Sequence, residues 1–355
     1  MLRALNRHRR LIVRAALSLG LIGFLLWRID LDAAGSALRD ADYAYVVPAL
    51  GLFALAKLLV AQRWRLMMST FADVPLGPLF GVLLVSNMAN NVAPARAGDL
   101  IRVQVPAQRY DVSRARLAAT VFATESLLDG MAFAVLGLIG LALIDIEVFP
   151  TSVFWGFLGL VAGGLIAVVP VAHLKLSEGW ECRGLLAKLP DRAQSALETA
   201  VPHFIDGLAV FRHGRLAAQA IALSFAAWLL EAAMFVLFGL AFGFHLSLPA
   251  WLLVMVVANV ISAVPVLPSN IGPYEVALKE VLQALGVASG VAGGFAIATH
   301  VFNILWITAA GAAAMWALGL SLDEVFSLRG REARRAEAPA DERDAVPSPA
   351  HEAHA

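Results

Sequence analysis

Apolar residues run along this chain in blocks long enough to cross a bilayer. A spanning helix needs about 20 mainly apolar residues, and the stretches 11–27, 43–62, 117–144, 151–173, 216–243 and 288–320 each supply one. Two further apolar stretches, 76–110 and 249–286, break near their middles at proline, glycine and asparagine and then continue with charged residues. Each half reaches only to about the bilayer centre. Both are predicted to be re-entrant hairpins, tolerated where protein or water covers the broken backbone. The expected fold is an all-α polytopic membrane protein with six spanning helices and two broken-helix hairpins.

The distribution of cations fixes an expected orientation. With the N-terminus in the cytoplasm and each hairpin returning to its own side, that side collects Arg3, Arg7, Arg9 and Arg10, then Arg63 and Arg65. It also holds Arg109, Arg114 and Arg116, a loop over 174–215 with Lys175, Arg183, Lys188, Arg192, Arg212 and Arg215, and a tail from Arg329 to Arg343. The opposite side keeps Arg28 and Arg39, both beside acids. Hairpins that crossed the membrane would put the basic loop outside, so the re-entrant arrangement is preferred. Residues 1–10 form a basic cytoplasmic start, and the basic-then-apolar opening reads as an anchor rather than a cleaved leader because no small-residue cleavage site follows.

Composition then removes several classes of function. Hydrophobic residues are 60% and charged residues 15% of the 355 positions, and mean hydropathy is +0.75. Lipid must be the main solvent for 11–320. Basic and acidic residues balance at 27 each, which gives no reason to expect nucleic acid as a partner. The single Cys182 and the scattered histidines offer no disulfide, no metal site and no cofactor. No GxxxxGK[ST] segment is present, so ATP is not expected as the energy source. Within 174–215, the stretches 185–189 and 196–205 have the pattern of short amphipathic helices on headgroups. The tail 330–355 is polar, rich in alanine and proline, and expected to be disordered.

The two broken stretches resemble each other. The first reads NNVAPARAGDLIR and the second SAVPVLPSNIGPYE; each has a glycine four residues after a proline, Pro94 to Gly98 and Pro268 to Gly272, followed by an acid. The glycines lie 174 residues apart, 272 minus 98. The expected topology gives the two hairpins opposite orientations, which is the pattern of an inverted repeat whose broken helices meet near the midplane. Half-helix N-termini carry partial positive charge suited to phosphate or carboxylate. The plainer alternative is that proline and glycine only kink two buried helices.

Charge at lipid depth sharpens the picture, because an ionised group there costs on the order of 2.5–3.5 kcal/mol. Arg96, Asp99 and Arg102 crowd the first break, and Glu275 and Lys279 follow the second. Glu125 and Asp129 stand at i and i+4 in one span, Glu231 lies deep in another, and Lys57 closes a third. Two carboxylates so placed repel and need a cation, with Arg96 or Arg102 as the expected source. One reading is a polar cavity whose arginines hold an anionic headgroup. The other is a set of structural ion pairs such as Asp99–Arg102 and Glu275–Lys279. Asn87, Asn90, Asn91, Asn259, Asn270, His300 and Asn303 either line that cavity or satisfy backbone and neighbouring helices. The glycines and alanines of 288–320 indicate close helix packing.

Asn91, Pro94, Arg96, Gly98, Asp99 and Arg102 carry a resemblance to the lysylphosphatidylglycerol synthase transmembrane-region family, also called flippase-like domain proteins. Asp99 stands where the family more often has glutamate. Pro265, Pro268, Gly272 and Glu275 resemble its second motif, with Ser269 and Asn270 replacing a glycine pair. His300 lies near a position the family often gives to arginine, so a basic role there would be pH-sensitive. The resemblance runs over roughly 10–320. It implies movement of polar-headed lipids between leaflets, or assistance to enzymes that make them; the soluble aminoacyltransferase unit of the best-known relatives is not expected from the short tail after the last span, so lysyl transfer is set aside.

The expected function is translocation of an anionic or modified lipid across a bacterial inner membrane, with both termini cytoplasmic and membrane lipids as partners. The expected substrate-binding residues are Arg96, Arg102, Asp99, Asn91, Glu125, Asp129, Glu275, Asn270, Glu231 and His300, with Pro94, Gly98, Pro268 and Gly272 as structural breaks. Two alternatives stand beside it: a membrane-embedded glycosyl- or phosphotransferase using a lipid-linked substrate, and an accessory subunit of a lipid-modifying enzyme.

Overall fold

The computed structural model describes residues 31–92, 98–144, 151–173, 190–263 and 268–320. The predicted first span, Pro94, Arg96, Pro265 and the tail lie outside these residues. Every regular element among the described residues is helical. A short helix α1 (Leu31–Asp40) and a 3-10 turn lead into α2 (Val46–Met68). The first broken stretch forms α3 (Leu76–Val92) and α4 (Gly98–Tyr110). The next span is composite: α5 (Arg114–Phe122), a π-helical segment (Ala123–Asp129) and α6 (Gly130–Leu143). Then come α7 (Thr151–His173), α8 (Asp191–Gly207) and α9 (Gly214–Ala241). The second broken stretch gives α10 (Leu248–Ala263), a 3-10 turn (Pro268–Asn270) and α11 (Pro273–Ala284), and α12 (Ser289–Ala317) follows.

Four helical stretches are long and apolar enough to cross a membrane: Tyr43–Met68, Arg114–Leu143, Gly214–Ala241 and Ser289–Ala317. They coincide with four of the six predicted spans. The predicted span at 151–173 is helical throughout as α7. Each broken stretch is a pair of helices, and the two members of each pair pack side by side, α3 on α4 and α10 on α11.

The chain builds one four-part arrangement twice. Helix ends at Tyr110 and Leu143 recur at Ala284 and Ala317, each 174 residues later. The same offset separates Lys57 from Glu231 and relates the order long helix, shorter helix, shorter helix, long helix in both halves. The packing obeys the repeat as well. Helix α2 lies along its counterpart α9, α3 packs on α12, and α10, the counterpart of α3, packs on α6. Small residues bring these helices close. A Cβ at Gly311 of α12 would sit 2.5 Å from Met88 Cβ and 2.8 Å from the Leu84 carbonyl of α3, which bears out the expected close packing of 288–320. At the other end Trp251 lies over Gly239, and Phe244, Phe295 and Trp251 form a ring cluster with centroids 5.3–6.0 Å apart.

Two expectations change. Helix α2 was expected to end at 62; it continues to Met68 and so carries Arg63 into the interior, where the side chain is fully buried, instead of into a loop. Leu66, Met67 and Met68 supply the further apolar turn that makes this extension favourable. In the 174–215 loop, α8 is longer than expected and leans on α5. Asp206 of α8 lies 3.2 Å from Arg116 and 3.5 Å from Arg212.

Candidate polar cavity between the broken helices

The first break is held by one asparagine. Asn90 Oδ1 accepts a hydrogen bond from the Gly98 N–H at 2.7 Å, and its Nδ2 donates to Asp99 Oδ1 at 3.0 Å. One side chain thereby satisfies the start of α4 and orients its first acid. Only glycine fits at 98, because a Cβ there would meet the Ser86 carbonyl at 2.0 Å. One turn further on, Arg102 is 2% exposed, with its guanidinium carbon 5.0 Å from the centre of the Trp64 ring.

The second break uses backbone geometry that side chains rarely adopt. Ser269 and Asn270 have φ of 51° and 50°, and Gly272 has 97°. Asn270 Nδ2 donates to the carbonyls of Ser262 at 2.8 Å and Ile261 at 3.4 Å, closing the end of α10. Gly272 N–H donates to Glu275 Oε2 at 2.7 Å, and Pro273 opens α11 with the φ a helix start requires. The other carboxylate oxygen of Glu275 lies 2.6 Å from His300 Nδ1, whose ring stacks on Tyr274 with centroids 4.2 Å apart. The two breaks touch: Ser269 Oγ donates to the Asn91 carbonyl at 2.7 Å.

Beside this junction lies a cavity of about 200 Å³. Its polar wall comes from Lys57 and Arg63 of α2, Asn87 of α3, Arg102 of α4, Asp129, and Asn259 and Ser262 of α10. Phe133 and Trp228 close the apolar side. Arg63 grips Asp129 with both nitrogens, Nη1–Oδ1 at 2.5 Å and Nη2–Oδ2 at 3.0 Å, and Nη1 also donates to Ser224 Oγ at 2.6 Å. Trp228 Nε1 donates to Asp129 Oδ1 at 2.8 Å. Lys57 Nζ donates to Glu231 Oε2 at 3.1 Å and lies 4.5 Å from the Phe53 ring centre. Asn259 Nδ2 donates to Glu231 Oε1 at 2.7 Å.

Of the residues singled out from sequence, the structure brings Lys57, Asn87, Arg102, Asp129 and Asn259 onto this one wall, with Glu231 bonded to Lys57 and Asn259. Asn91, Asn270 and Glu275 are used in building the breaks, Asp99 bonds to Asn90, and His300 bonds to Glu275 behind them. Arg96 and Pro94 lie outside the described residues, as does the side chain of Glu125. Asp129 pairs with Arg63, a cation that the sequence reading had not offered it. The backbone of 123–129, which carries both Glu125 and Asp129, is π-helical, with a repeat wider than an α turn. Arg63, Ser224 and Trp228 were not anticipated. The helical pattern running past Arg63 to Met68 was the available signal.

Residues 11–311 match the family described as Lysylphosphatidylglycerol synthase TM region. The chain is 26% identical over 305 residues to a UPF0104 membrane protein of Methanothermobacter thermautotrophicus, covering 81% of this chain and 89% of that protein. It is also 26% identical over 362 residues to a protein named Glycosyltransferase AglD of Haloferax volcanii. That match covers 91% of this chain but only 58% of the relative's length. No solved structure matches the chain significantly. With four long apolar helices, two broken ones and a family match across most of its length, this chain is a multi-pass membrane protein of the lysylphosphatidylglycerol synthase transmembrane-region family.

Proposed function

We propose that this protein carries a polar-headed, anionic or modified lipid from one leaflet to the other through the cavity between its two broken helices. One observation carries the reading: three cations, Lys57, Arg63 and Arg102, share a cavity wall inside an apolar bundle with one carboxylate and two asparagines. Desolvating so many charges is costly, and a site that receives a charged group during each cycle gives that cost a purpose. The repeat supports the movement. Two copies of one fold, joined where the breaks touch, can rock against each other around a fixed site. In this reading the halves are inverted, the broken helices are re-entrant, and both termini face the cytoplasm. The Methanothermobacter and Haloferax relatives are archaeal, so in this reading the membrane is a prokaryotic plasma membrane, bacterial or archaeal. Membrane lipids are the partners.

The test is a leaflet-resolved assay. Purified protein is placed in phosphatidylcholine vesicles containing a fluorescent phosphatidylglycerol, and the fraction reachable by an external quencher is followed in time. Protein is expected to increase the accessible fraction beyond half, and Arg102→Ala to remove the effect. Vesicles in which the lipid stays in place would refute transport. A second reading follows from the name of the Haloferax relative: a membrane part of a lipid-linked glycosyl transfer system, acting as enzyme or accessory subunit. In the same vesicles, supplied with a polyprenyl-phosphate sugar, a new lipid species would favour it.

A further inference from the structure

The Arg63–Asp129 pair has features that a sealed structural ion pair does not need. Both partners line the cavity, and Arg63 presents its guanidinium as a two-pronged fork. That fork fits a carboxylate and a phosphate equally well, with two parallel N–H···O bonds in either case. Each partner also has a second anchor on α9. Ser224 Oγ accepts from Arg63 Nη1, and Trp228 Nε1 donates to Asp129 Oδ1. Each partner therefore keeps one hydrogen bond when the other lets go.

We propose that Asp129 is a resident stand-in for phosphate: its carboxylate holds the fork of Arg63 until a phosphate-bearing headgroup enters the cavity and takes the fork over. The ligand class is a phosphate monoester or diester; a headgroup with only hydroxyls or amines cannot displace the carboxylate. This rests on reading the cavity as a headgroup site. Ser224 keeps Arg63 aimed during the exchange, and the indole of Trp228 receives Asp129 as it leaves. Asp129 stands where the backbone departs from α geometry. It is the last residue of the π-helical segment 123–129, and π segments concentrate at functional sites. The carboxylate also serves as a competitor. It prevents the cation from being held irreversibly by the first phosphate it meets, which a carrier that must release its cargo requires.

The experiment uses the full chain in a non-ionic detergent, with dihexanoylphosphatidic acid and inorganic phosphate as separate probes in isothermal titration calorimetry. Asp129→Asn removes the competing charge and is expected to bind phosphatidate at least fivefold more tightly than the unaltered protein. Arg63→Lys, which keeps charge but loses the fork, is expected to bind at least tenfold more weakly. Unchanged or weaker phosphatidate binding by folded Asp129→Asn overturns the proposal. If that variant does not fold, Arg63→Gln with Asp129→Asn, which retains a neutral hydrogen-bonded pair, takes its place; a tenfold loss supports the assignment and unaltered affinity overturns it. Binding of phosphatidate alone identifies the ligand as lipid, and equal binding of both probes identifies free phosphate as a ligand of the same fork. Vesicle transport is measured in parallel. If the affinity shifts appear without lipid movement, the transport reading fails and this one stands. If lipid moves and Asp129→Asn binds as the unaltered protein does, only this inference fails.

Discussion

Replacing Gly98 with alanine puts a methyl group 2.0 Å from the Ser86 carbonyl oxygen and 2.6 Å from Asn90 Oδ1. Non-bonded carbon–oxygen contacts settle at roughly 3.3–3.6 Å, so α3 and α4 must separate by about 1.3 Å at this point. Forcing an extra carbon into a packed interior costs about 1–3 kcal/mol. The same movement stretches the 2.7 Å bond from Gly98 N–H to Asn90 Oδ1. A buried donor left unsatisfied costs about 1–3 kcal/mol more. The expected loss is therefore about 2–6 kcal/mol, a large part of the net stability of a folded chain. It falls on the element that aims Arg102 into the cavity. Reversible unfolding in mixed micelles gives the free energy, and the vesicle assay gives the functional consequence. Gly51→Ala is the control: a Cβ at Gly51 meets nothing within 4 Å, and mid-helix alanine gains about 0.5–1 kcal/mol over glycine. If Gly98→Ala unfolds like the control and still moves lipid, the tight approach of the two half-helices is not what positions the site.

Lys57 and Glu231 occupy repeat-related positions and face each other between α2 and α9. Lys57→Met alone should cost about 3–5 kcal/mol by leaving the Glu231 carboxylate buried without its cation and with only the Asn259 hydrogen bond, whereas the exchange Lys57→Glu with Glu231→Lys should restore most of that loss, measured by the same unfolding experiment. Glu275→Gln is expected to abolish translocation without affecting membrane insertion, as is Arg96→Ala; normal transport by both would show that the break residues are not part of the site. Trp228→Phe keeps the ring against Phe133, whose centroid lies 4.5 Å away, but removes the hydrogen bond to Asp129. It is expected to cost about 1.5–3 kcal/mol, the range for a bond to a charged group. Reporter fusions near residues 190 and 340 are expected to report cytoplasm and a fusion near 147 the outside; an outward reporter at 190 would overturn the re-entrant topology.

Much of the scaffold was legible because its signals are local. Runs of apolar residues marked the long helices, and proline, glycine and asparagine marked both breaks within a few residues. Spacing between Gly98 and Gly272 already contained the 174-residue repeat that the helix ends later matched. What failed was anything that depended on where a helix stops. Ending the second span at 62 placed Arg63 in a loop, and that one boundary concealed the partner of Asp129. The π segment was equally invisible, since Ala123–Asp129 has no proline or glycine to announce a change of pitch. Asn90 and Asn91 were grouped together as cavity or cap residues. In the structure Asn90 caps α4 with its side chain, and Asn91 offers a backbone carbonyl to Ser269.

By itself the sequence determined the solvent, the helices, the two breaks and the list of charges that have to be housed in lipid. These follow from composition and periodicity, which act over one or two turns. Tertiary structure alone decided which charge meets which. Arg63 reaches Asp129 across 66 residues and Trp228 reaches it across 99, and only packing α2, the π segment and α9 together brings them within hydrogen-bond distance. A helix propensity is a property of neighbours in the chain; a buried ion pair is a property of neighbours in space, chosen because leaving either charge alone in the interior costs more than pairing it.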